Sequence, residues 1–210
     1  MSKRLRLGAL ISGGGRTLLN LMDCIERGTL DAAVAVVISS RADTAGVERI
    51  RARGIEVKIA AKKSFADEHA MHDQISVWLH KASVDLVCLC GYLRGFRIDP
   101  EFRGKVVNIH PSLLPKFGGK GMYGERVHEA VLRAGETASG CTVHFVDDEY
   151  DRGPVILQRQ VNVKPGDTVE TLAARVFEKE CEAYPEAIQM IAEGRVRESN
   201  GSVEFRNPHA

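Results

Sequence analysis

The 210-residue sequence lacks a long apolar run, a strong excess of either charge and any cysteine pair spaced as C-x-x-C. Its first apolar stretch is broken by Ser12 and the glycines of residues 13–15, so it is too short for a signal sequence or a membrane span. The 29 Lys and Arg nearly balance the 28 Asp and Glu, so no overall field attracts the chain to nucleic acid or a membrane. We therefore expect a cytoplasmic protein that binds small molecules, as a monomer or a homodimer.

Cysteine is scarce and its number is odd. Cys88 and Cys90 would share one face of a strand, where cysteine usually behaves as a small hydrophobic residue. We expect all the cysteines to be reduced and structural, and we predict neither a disulfide nor a metal site. They are Cys24, Cys88, Cys90, Cys141 and Cys181.

Apolar strands alternate with amphipathic helices through the first half of the chain. This alternation predicts an α/β fold of Rossmann-like type, with an open, mostly parallel twisted sheet and helices on both faces. The predicted strands are residues 6–11, 33–38, 56–60, 84–90 and 105–109, and the helices are residues 17–27, 45–53 and 67–81.

The second half follows a different pattern. A helix is predicted at residues 125–134, followed by strands at 139–146 and 155–163 that a short acidic loop connects. Consecutive strands joined by a short loop predict a mixed sheet in this half. Because no linker or repeat divides the sequence, we expect residues 1–210 to form a single domain.

The last helix is predicted to begin near Asp167 or Thr168, since either side chain can cap it. Pro185 should kink or divide this helix before Ile191. The tail from Glu193 is polar and carries no assigned element.

A glycine loop at residues 12–17 lies between the first strand and the first helix. The exposed N–H groups at such a junction favour an anion, so a monophosphate could bind the amides of Gly15, Arg16 and Thr17. The loop is not a Walker A motif, because no Gly-Lys-Ser/Thr follows. It is also a poor dinucleotide fingerprint, since Leu18 stands where the third glycine belongs.

Two alternatives to a monophosphate site remain open for this loop. The glycines could serve only a tight turn that needs positive φ. In a different class of protein, Ser39, Ser40 and Arg41 beyond the second strand could hold the 2′-phosphate of NADP.

Asn108 and His110 stand at the end of a buried parallel strand, the edge where open α/β sheets bind their ligands. Alternation along the strand sends both side chains to the same side. An amide can hydrogen-bond a developing oxyanion, and an imidazole can transfer a proton near neutral pH. The pair is therefore a candidate catalytic site, although Asn108 could instead cap the sheet and His110 could be a satisfied buried histidine.

An acidic loop supplies a partner for His110. A carboxylate there could orient the imidazole and favour its charged form. Spacing alone does not choose between the four acids, which are Asp147, Asp148, Glu149 and Asp151. The glycine-rich residues 117–124 could close over a bound ligand.

Three segments carry a family resemblance: Asn108-Ile109-His110-Pro111-Ser112-Leu113-Leu114-Pro115, His144-Phe145-Val146 and Asp151-x-Gly153-Pro154. They resemble folate-dependent formyltransferases, and in particular the family of phosphoribosylglycinamide formyltransferases of purine synthesis. The resemblance extends from near Ile11 to about Ile191. It implies transfer of a formyl group from 10-formyltetrahydrofolate to the amine of 5-phosphoribosylglycinamide, without a metal.

The resemblance also implies a role for individual residues. Asn108 would bind the formyl oxygen and the folate, His110 would be the acid/base, and Asp151 would support His110. Glu180 would contact the substrate ribose. The amides of the glycine loop would hold the substrate phosphate, and the loop after the fourth strand would contact the folate; these residues are Gly15, Arg16 and Thr17, and Leu93, Arg94, Gly95 and Phe96.

This chain departs from the family pattern in three places. The segment between Arg94 and Asn108 is shorter than in some relatives. Arg16-Thr17 stands where Ser or Thr followed by Asn is common, and Asp67-Glu68-His69 lies where the family has an additional folate-contacting arginine. Formyltetrahydrofolate deformylase and other folate-dependent formyltransferases are the close alternatives. We expect no room for the extra domains that these usually carry.

Overall fold

A computed structural model describes residues 4–206 of the chain. In that range it contains nine strands and five α-helices, with short 3-10 turns at Lys62–Ser64 and Pro100–Phe102. The strands are β1 (Leu5–Ile11), β2 (Ala32–Ser39), β3 (Val57–Ile59), β4 (Leu86–Leu89), β5 (Val106–His110), β6 (Ala138–Phe145), β7 (Val155–Asn162), β8 (Val196–Ser199) and β9 (Ser202–Phe205). The helices are α1 (Arg16–Glu26), α2 (Ala45–Ala52), α3 (Glu68–Lys81), α4 (Glu125–Arg133) and α5 (Val169–Ala192).

Seven strands form one sheet in the order β3-β2-β1-β4-β5-β6-β7. β1 pairs in parallel with β2 and with β4, and β2 pairs in parallel with β3. β6 and β7 are antiparallel. The predicted α/β class is therefore confirmed, including the mixed sheet in the C-terminal half.

The chain folds as two compact units, one up to Val107 and the other from Asn108 onward. In the first unit, β1 and β4 are buried and apolar, as expected for parallel strands covered on both faces. In the second unit, α5 packs on β6 and β7. Among residues 4–206, no helix is both long and apolar enough to cross a membrane.

Helix α5 begins at a capping box. The Thr168 hydroxyl accepts from the Thr171 N–H at 3.3 Å, and the Thr171 hydroxyl accepts from the Thr168 N–H at 2.9 Å. The helix then continues through Pro185 to Ala192. Of the two predicted effects of Pro185, a divided helix is wrong and a kink stays a prediction. Tyr184 and Ile188 beside it are fully buried, and their burial offsets the lost backbone hydrogen bond.

The polar tail contains an element that hydrophobic periodicity missed. β8 and β9 pair as an antiparallel hairpin, in which Arg197 Nε donates to Glu204 Oε2 at 2.7 Å. Asn200 and Gly201 make the turn, with φ of 51° and 78°. Asn-Gly is a strong hairpin dipeptide, so the sequence did contain the relevant signal.

The capping box gives a test of local stability. We expect Thr168→Ala to lower the free energy of unfolding by about 1 kcal/mol, because an N–H at the start of α5 loses its acceptor. Urea denaturation monitored by circular dichroism measures the change. Thr168→Ser keeps a hydroxyl and should restore most of the loss, whereas equal stability of the wild-type and Ala proteins would contradict the capping role.

Candidate active site

Asn108 and His110 lie on the last residues of β5. His110 is only 3% exposed, and Asn108 is half-buried. One residue separates them along the strand. Because successive side chains of a strand point to opposite faces, Asn108 and His110 project to the same side, as the sequence predicts. The second unit thus presents an amide and an imidazole next to each other.

His144 on β6 fixes the orientation of the Asn108 amide. Its Nδ1 lies 2.8 Å from the carbonyl oxygen of Phe145 and therefore carries a proton that it donates. Its Nε2 is then free to accept from Asn108 Nδ2, at 3.2 Å. Burial lowers the pKa of His144, which keeps this ring neutral. One N–H of the Asn108 amide is held in this way, and the other can point toward a ligand.

Both ring nitrogens of His110 have neighbours. Nε2 donates to the carbonyl oxygen of Phe117 at 2.9 Å. Nδ1 lies 3.5 Å from Oδ2 of Asp151. Because Nε2 carries the donated proton, Nδ1 is the nitrogen that can take up or release a second proton, and it does so beside a carboxylate.

Asp151 also binds the glycine-rich segment that follows His110. Its Oδ2 accepts from the Gly119 N–H at 2.9 Å. Its Oδ1 lies 3.7 Å from Nε2 of His144. The structure thus brings Asp151 to the histidine, whereas the Asp147 carboxylate accepts from the Glu149 N–H within the exposed loop.

The segment after His110 is attached to the sheet by two polar side chains. Thr142 Oγ1 donates to the Ser112 carbonyl at 2.7 Å and accepts from the Leu114 N–H at 3.0 Å. Gln158 Nε2 donates to the Leu114 carbonyl at 2.9 Å. These contacts join β6 and β7 to the chain that leads to Phe117.

Another histidine near His110 is buried. His128 on α4 is 4% exposed, although its helical position in a polar segment suggests a surface residue. Its Nδ1 has no hydrogen-bond partner among residues 4–206. Burial lowers the pKa of His128, and the charge of His110 acts in the same direction.

In the first unit, the glycine loop leads directly into α1. Gly15 is the N-cap residue of α1, with φ of 70°, and it makes no side-chain cap. A Cβ on Gly46, at the start of α2, would lie 2.2 Å from the Gly13 carbonyl oxygen. Arg49 Nη1 donates to the Gly14 carbonyl at 3.2 Å. The loop is therefore supported by α2, and the N-terminal backbone amides of α1 are the groups that can bind an anion.

The loop after β4 contains Leu93, Arg94, Gly95 and Phe96. Leu93 and Arg94 are exposed, and Phe96 is half-buried. Arg94 borders a cavity of about 690 Å³ whose other charged lining residues are Arg41, Asp43, Lys62 and Lys63. Four cations and one carboxylate give this cavity a net positive charge, which suits a ligand with carboxylate groups.

The serines considered for NADP are used inside the protein. Ser39 Oγ donates to the Arg41 carbonyl at 2.6 Å, and Ser40 Oγ donates to Ser12 Oγ at 2.7 Å. Arg41 Nε lies 3.4 Å from Asp43 Oδ1. This arrangement does not favour a site for a 2′-phosphate.

Glu180, which the resemblance associates with the substrate ribose, is half-buried on α5. Burial raises the pKa of Cys141 on β6 to about 12, and the charge of Glu180 contributes in the same direction. Glu180 therefore faces the same strand that carries His144.

An imidazole, an amide and a carboxylate together at the end of a strand define a site for acyl-transfer chemistry. Residues 5–188 match the family described as formyl transferase, and the chain belongs to that family. It is 37% identical over 194 residues to a phosphoribosylglycinamide formyltransferase of Haemophilus influenzae, covering 91% of this chain and 89% of the relative. It is 41% identical over 197 residues to the bovine trifunctional purine biosynthetic protein adenosine-3, covering 93% of this chain but only 19% of that relative.

Solved structures show the same relationship. Glycinamide ribonucleotide transformylase 1 from Symbiobacterium toebii superposes with a TM-score of 0.89 at 40% identity, over 97% of this chain and 95% of that one. A formyltetrahydrofolate deformylase from Pseudomonas syringae superposes with a TM-score of 0.86 at 22% identity, over 98% of this chain and 67% of that one. The second similarity shows a shared fold alone.

His128 and His144, whose pKa values burial lowers, predict a dependence of stability on pH. Their folded-state pKa values lie below the unfolded value of about 6.5, so the unfolded chain binds more protons as the pH falls through that value. Stability should be highest above pH 7 and decrease toward pH 5.5, by at most about 1.4 kcal/mol per pH unit for each histidine.

Chemical denaturation across this pH range tests the effect. We expect His128→Gln to flatten the pH dependence, because it removes one of the two groups. The exposed His69→Gln is the matched control for the loss of an imidazole. An unchanged slope in His128→Gln would show that His128 does not contribute.

Proposed function

We propose that this protein transfers the formyl group of 10-formyltetrahydrofolate to the amine of 5-phosphoribosylglycinamide. The observation that carries the proposal is the cluster of Asn108, His110 and Asp151, with His110 Nδ1 at 3.5 Å from the Asp151 carboxylate. The similarity to phosphoribosylglycinamide formyltransferases over about nine-tenths of this chain supports the same choice of substrates.

The reaction requires stabilisation of an oxyanion. The substrate amine attacks the formyl carbon, and the electron pair of the C=O bond moves to its oxygen. One side-chain N–H of Asn108 already donates to His144 Nε2, so the second N–H donates to that oxygen. The same N–H contact makes Asn108 a residue of the folate site.

His110 moves the proton. With Nε2 donating to Phe117, a proton on Nδ1 makes the ring an imidazolium whose charge the Asp151 carboxylate compensates. Nδ1–H can stabilise the oxyanion and then transfer its proton to the folate nitrogen as the carbon–nitrogen bond breaks. The attacking amine loses its extra proton in the same sequence, so His110 ends the cycle protonated again.

The first unit supplies binding groups for both substrates. We assign the substrate phosphate to the backbone amides of Gly15, Arg16 and Thr17 at the start of α1, and the substrate ribose to Glu180 on α5. Leu93, Arg94, Gly95 and Phe96 contact the folate.

The cationic cavity beside Arg94 accommodates the carboxylates of the folate glutamate. Lys62 and Lys63 would then supply the positive charge that the family's additional folate-contacting arginine provides. In this chain Asp67-Glu68-His69 lies at the position of that arginine. We propose that residues 1–210 function as one formyltransferase domain.

The decisive assay combines purified protein with both substrates and omits the amine in a parallel reaction. Formylated product that forms only with the amine supports transfer. Cleavage of the formyl group without an acceptor would instead favour a deformylase. The two reactions share the same fold, so the acceptor requirement distinguishes them.

Replacing His110 tests the chemical step. We expect His110→Ala to reduce the single-turnover rate by roughly 10²- to 10⁴-fold, because proton transfer loses its carrier. Calorimetric titration should find the affinity for 5-phosphoribosylglycinamide nearly unchanged, since the phosphate binds elsewhere. His69→Gln is the control, and normal turnover by His110→Ala would reject the mechanism.

Removing cations from the cavity tests the folate site. We expect the double variant Lys62→Ala/Lys63→Ala to raise the KM for 10-formyltetrahydrofolate about three- to tenfold, because exposed charge pairs contribute modestly. The KM for the amine substrate should stay constant. Lys81→Ala removes an exposed lysine at the end of α3 and should change neither constant.

A further inference from the structure

Ser12 joins three loops of the first unit through a single hydroxyl group. It is 5% exposed and stands directly after β1, at the start of the glycine loop. Its Oγ accepts from Ser40 Oγ at 2.7 Å, just after β2. It also accepts from the backbone N–H of Leu93 at 2.9 Å, in the loop after β4.

These contacts use the full accepting capacity of the hydroxyl oxygen, which has two lone pairs. The Leu93 N–H is a backbone donor that comes from a different loop, so its hydrogen bond fixes the distance between two chain segments that are 81 residues apart. Without the Ser12 oxygen, the Leu93 N–H and the Ser40 hydroxyl would both lose their partner, and unsatisfied polar groups in a partly buried site are costly.

The segments that Ser12 joins are those to which we assign the two substrates. Gly13 follows Ser12 and opens the phosphate-binding loop, while Arg94 follows Leu93 and borders the cationic cavity. Ser40 lines that same cavity. A displacement of Ser12 would therefore move both the backbone amides assigned to the substrate phosphate and the loop assigned to the folate.

We propose that Ser12 is a positioning residue that holds the glycine loop and the loop of residues 93–96 in one geometry, so that binding of both substrates depends on the same hydroxyl. The proposal rests on the proposed function. Ser12 acts through its neighbours, and the chemical step at His110 does not involve it.

Arg49 offers a matched comparison. Its Nη1 also supports the glycine loop, through the Gly14 carbonyl at 3.2 Å, but it contacts the loop from α2. Removing Arg49 should weaken binding of the phosphorylated amine alone. Removing Ser12 should weaken binding of both substrates.

The experiment compares Ser12→Ala with Ser40→Ala and Arg49→Ala. For Ser12→Ala we expect the KM of each substrate to rise by about tenfold, as for the loss of a buried hydrogen bond, with kcat within about twofold of the wild type. Ser40→Ala keeps the contact with Leu93 and should show a smaller effect. Ser12→Cys keeps the shape but accepts hydrogen bonds poorly, so it should resemble Ser12→Ala and provides a second variant should the first fold badly.

A second readout needs no turnover. Amide hydrogen exchange at Leu93 should accelerate by at least about tenfold in Ser12→Ala and remain slow in Arg49→Ala. Unchanged exchange at Leu93, or a KM increase for one substrate only, would overturn the proposal. Failure of the wild-type protein to transfer a formyl group would instead reject the proposed function, and with it the substrate-positioning role, even if the exchange result showed that the contact exists.

Discussion

The carboxylate of Asp151 connects three parts of the second unit. Its Oδ2 accepts from the Gly119 N–H at 2.9 Å and lies 3.5 Å from Nδ1 of His110, while its Oδ1 lies 3.7 Å from Nε2 of His144. The side chain is 12% exposed, so water screens these interactions only weakly. A charge in such a position must be compensated by donors and cations. The Gly119 N–H donates to this carboxylate and the His110 imidazole lies beside it, so the carboxylate joins a backbone segment and an imidazole into one structural group.

Two neighbouring histidines receive different roles from their hydrogen bonds. His144 donates from Nδ1 to a carbonyl and accepts at Nε2, and burial lowers its pKa, so it stays neutral and orients an amide. His110 donates from Nε2 to a carbonyl and turns Nδ1 toward a carboxylate, so a second proton on that ring is compensated. The residue type is the same at both positions. The partners determine that one ring orients an amide and that the other faces a carboxylate.

The sequence predicted the features that depend on side-chain type and on periodicity. The parallel sheet followed from alternating apolar strands and helices, and the antiparallel pair β6–β7 from two strands joined by a short loop. The sequence also placed Asn108 and His110 together at a strand end. It did not separate Asp151 from three other acids without the family resemblance, because the path of an irregular loop depends on backbone angles. Asp151 has φ of 56°, a left-handed value that residue spacing does not reveal.

Other features were missed because they reside in the backbone or in weak patterns. The acceptor for His110 Nε2 is the carbonyl of Phe117, and any residue type could supply it. The hairpin β8–β9 is polar, so only its Asn200-Gly201 turn distinguishes it from an irregular tail. The helix α5 continues through Pro185 because the burial of neighbouring side chains outweighs the local penalty of a proline inside a helix.

The backbone around His110 also shows how the fold sustains an unfavourable local geometry. Phe117 has φ of 55°, and a left-handed conformation costs a non-glycine residue about 1–2 kcal/mol. Such conformations persist only where surrounding contacts over-determine them. Thr142 and Gln158 hold the preceding residues to β6 and β7, and Asp151 holds Gly119 on the other side. Because the chain is held on both sides of Phe117, the Phe117 carbonyl is directed toward His110. The antiparallel strands therefore do more than extend the sheet, because they support the backbone that sets which nitrogen of the histidine can carry the proton.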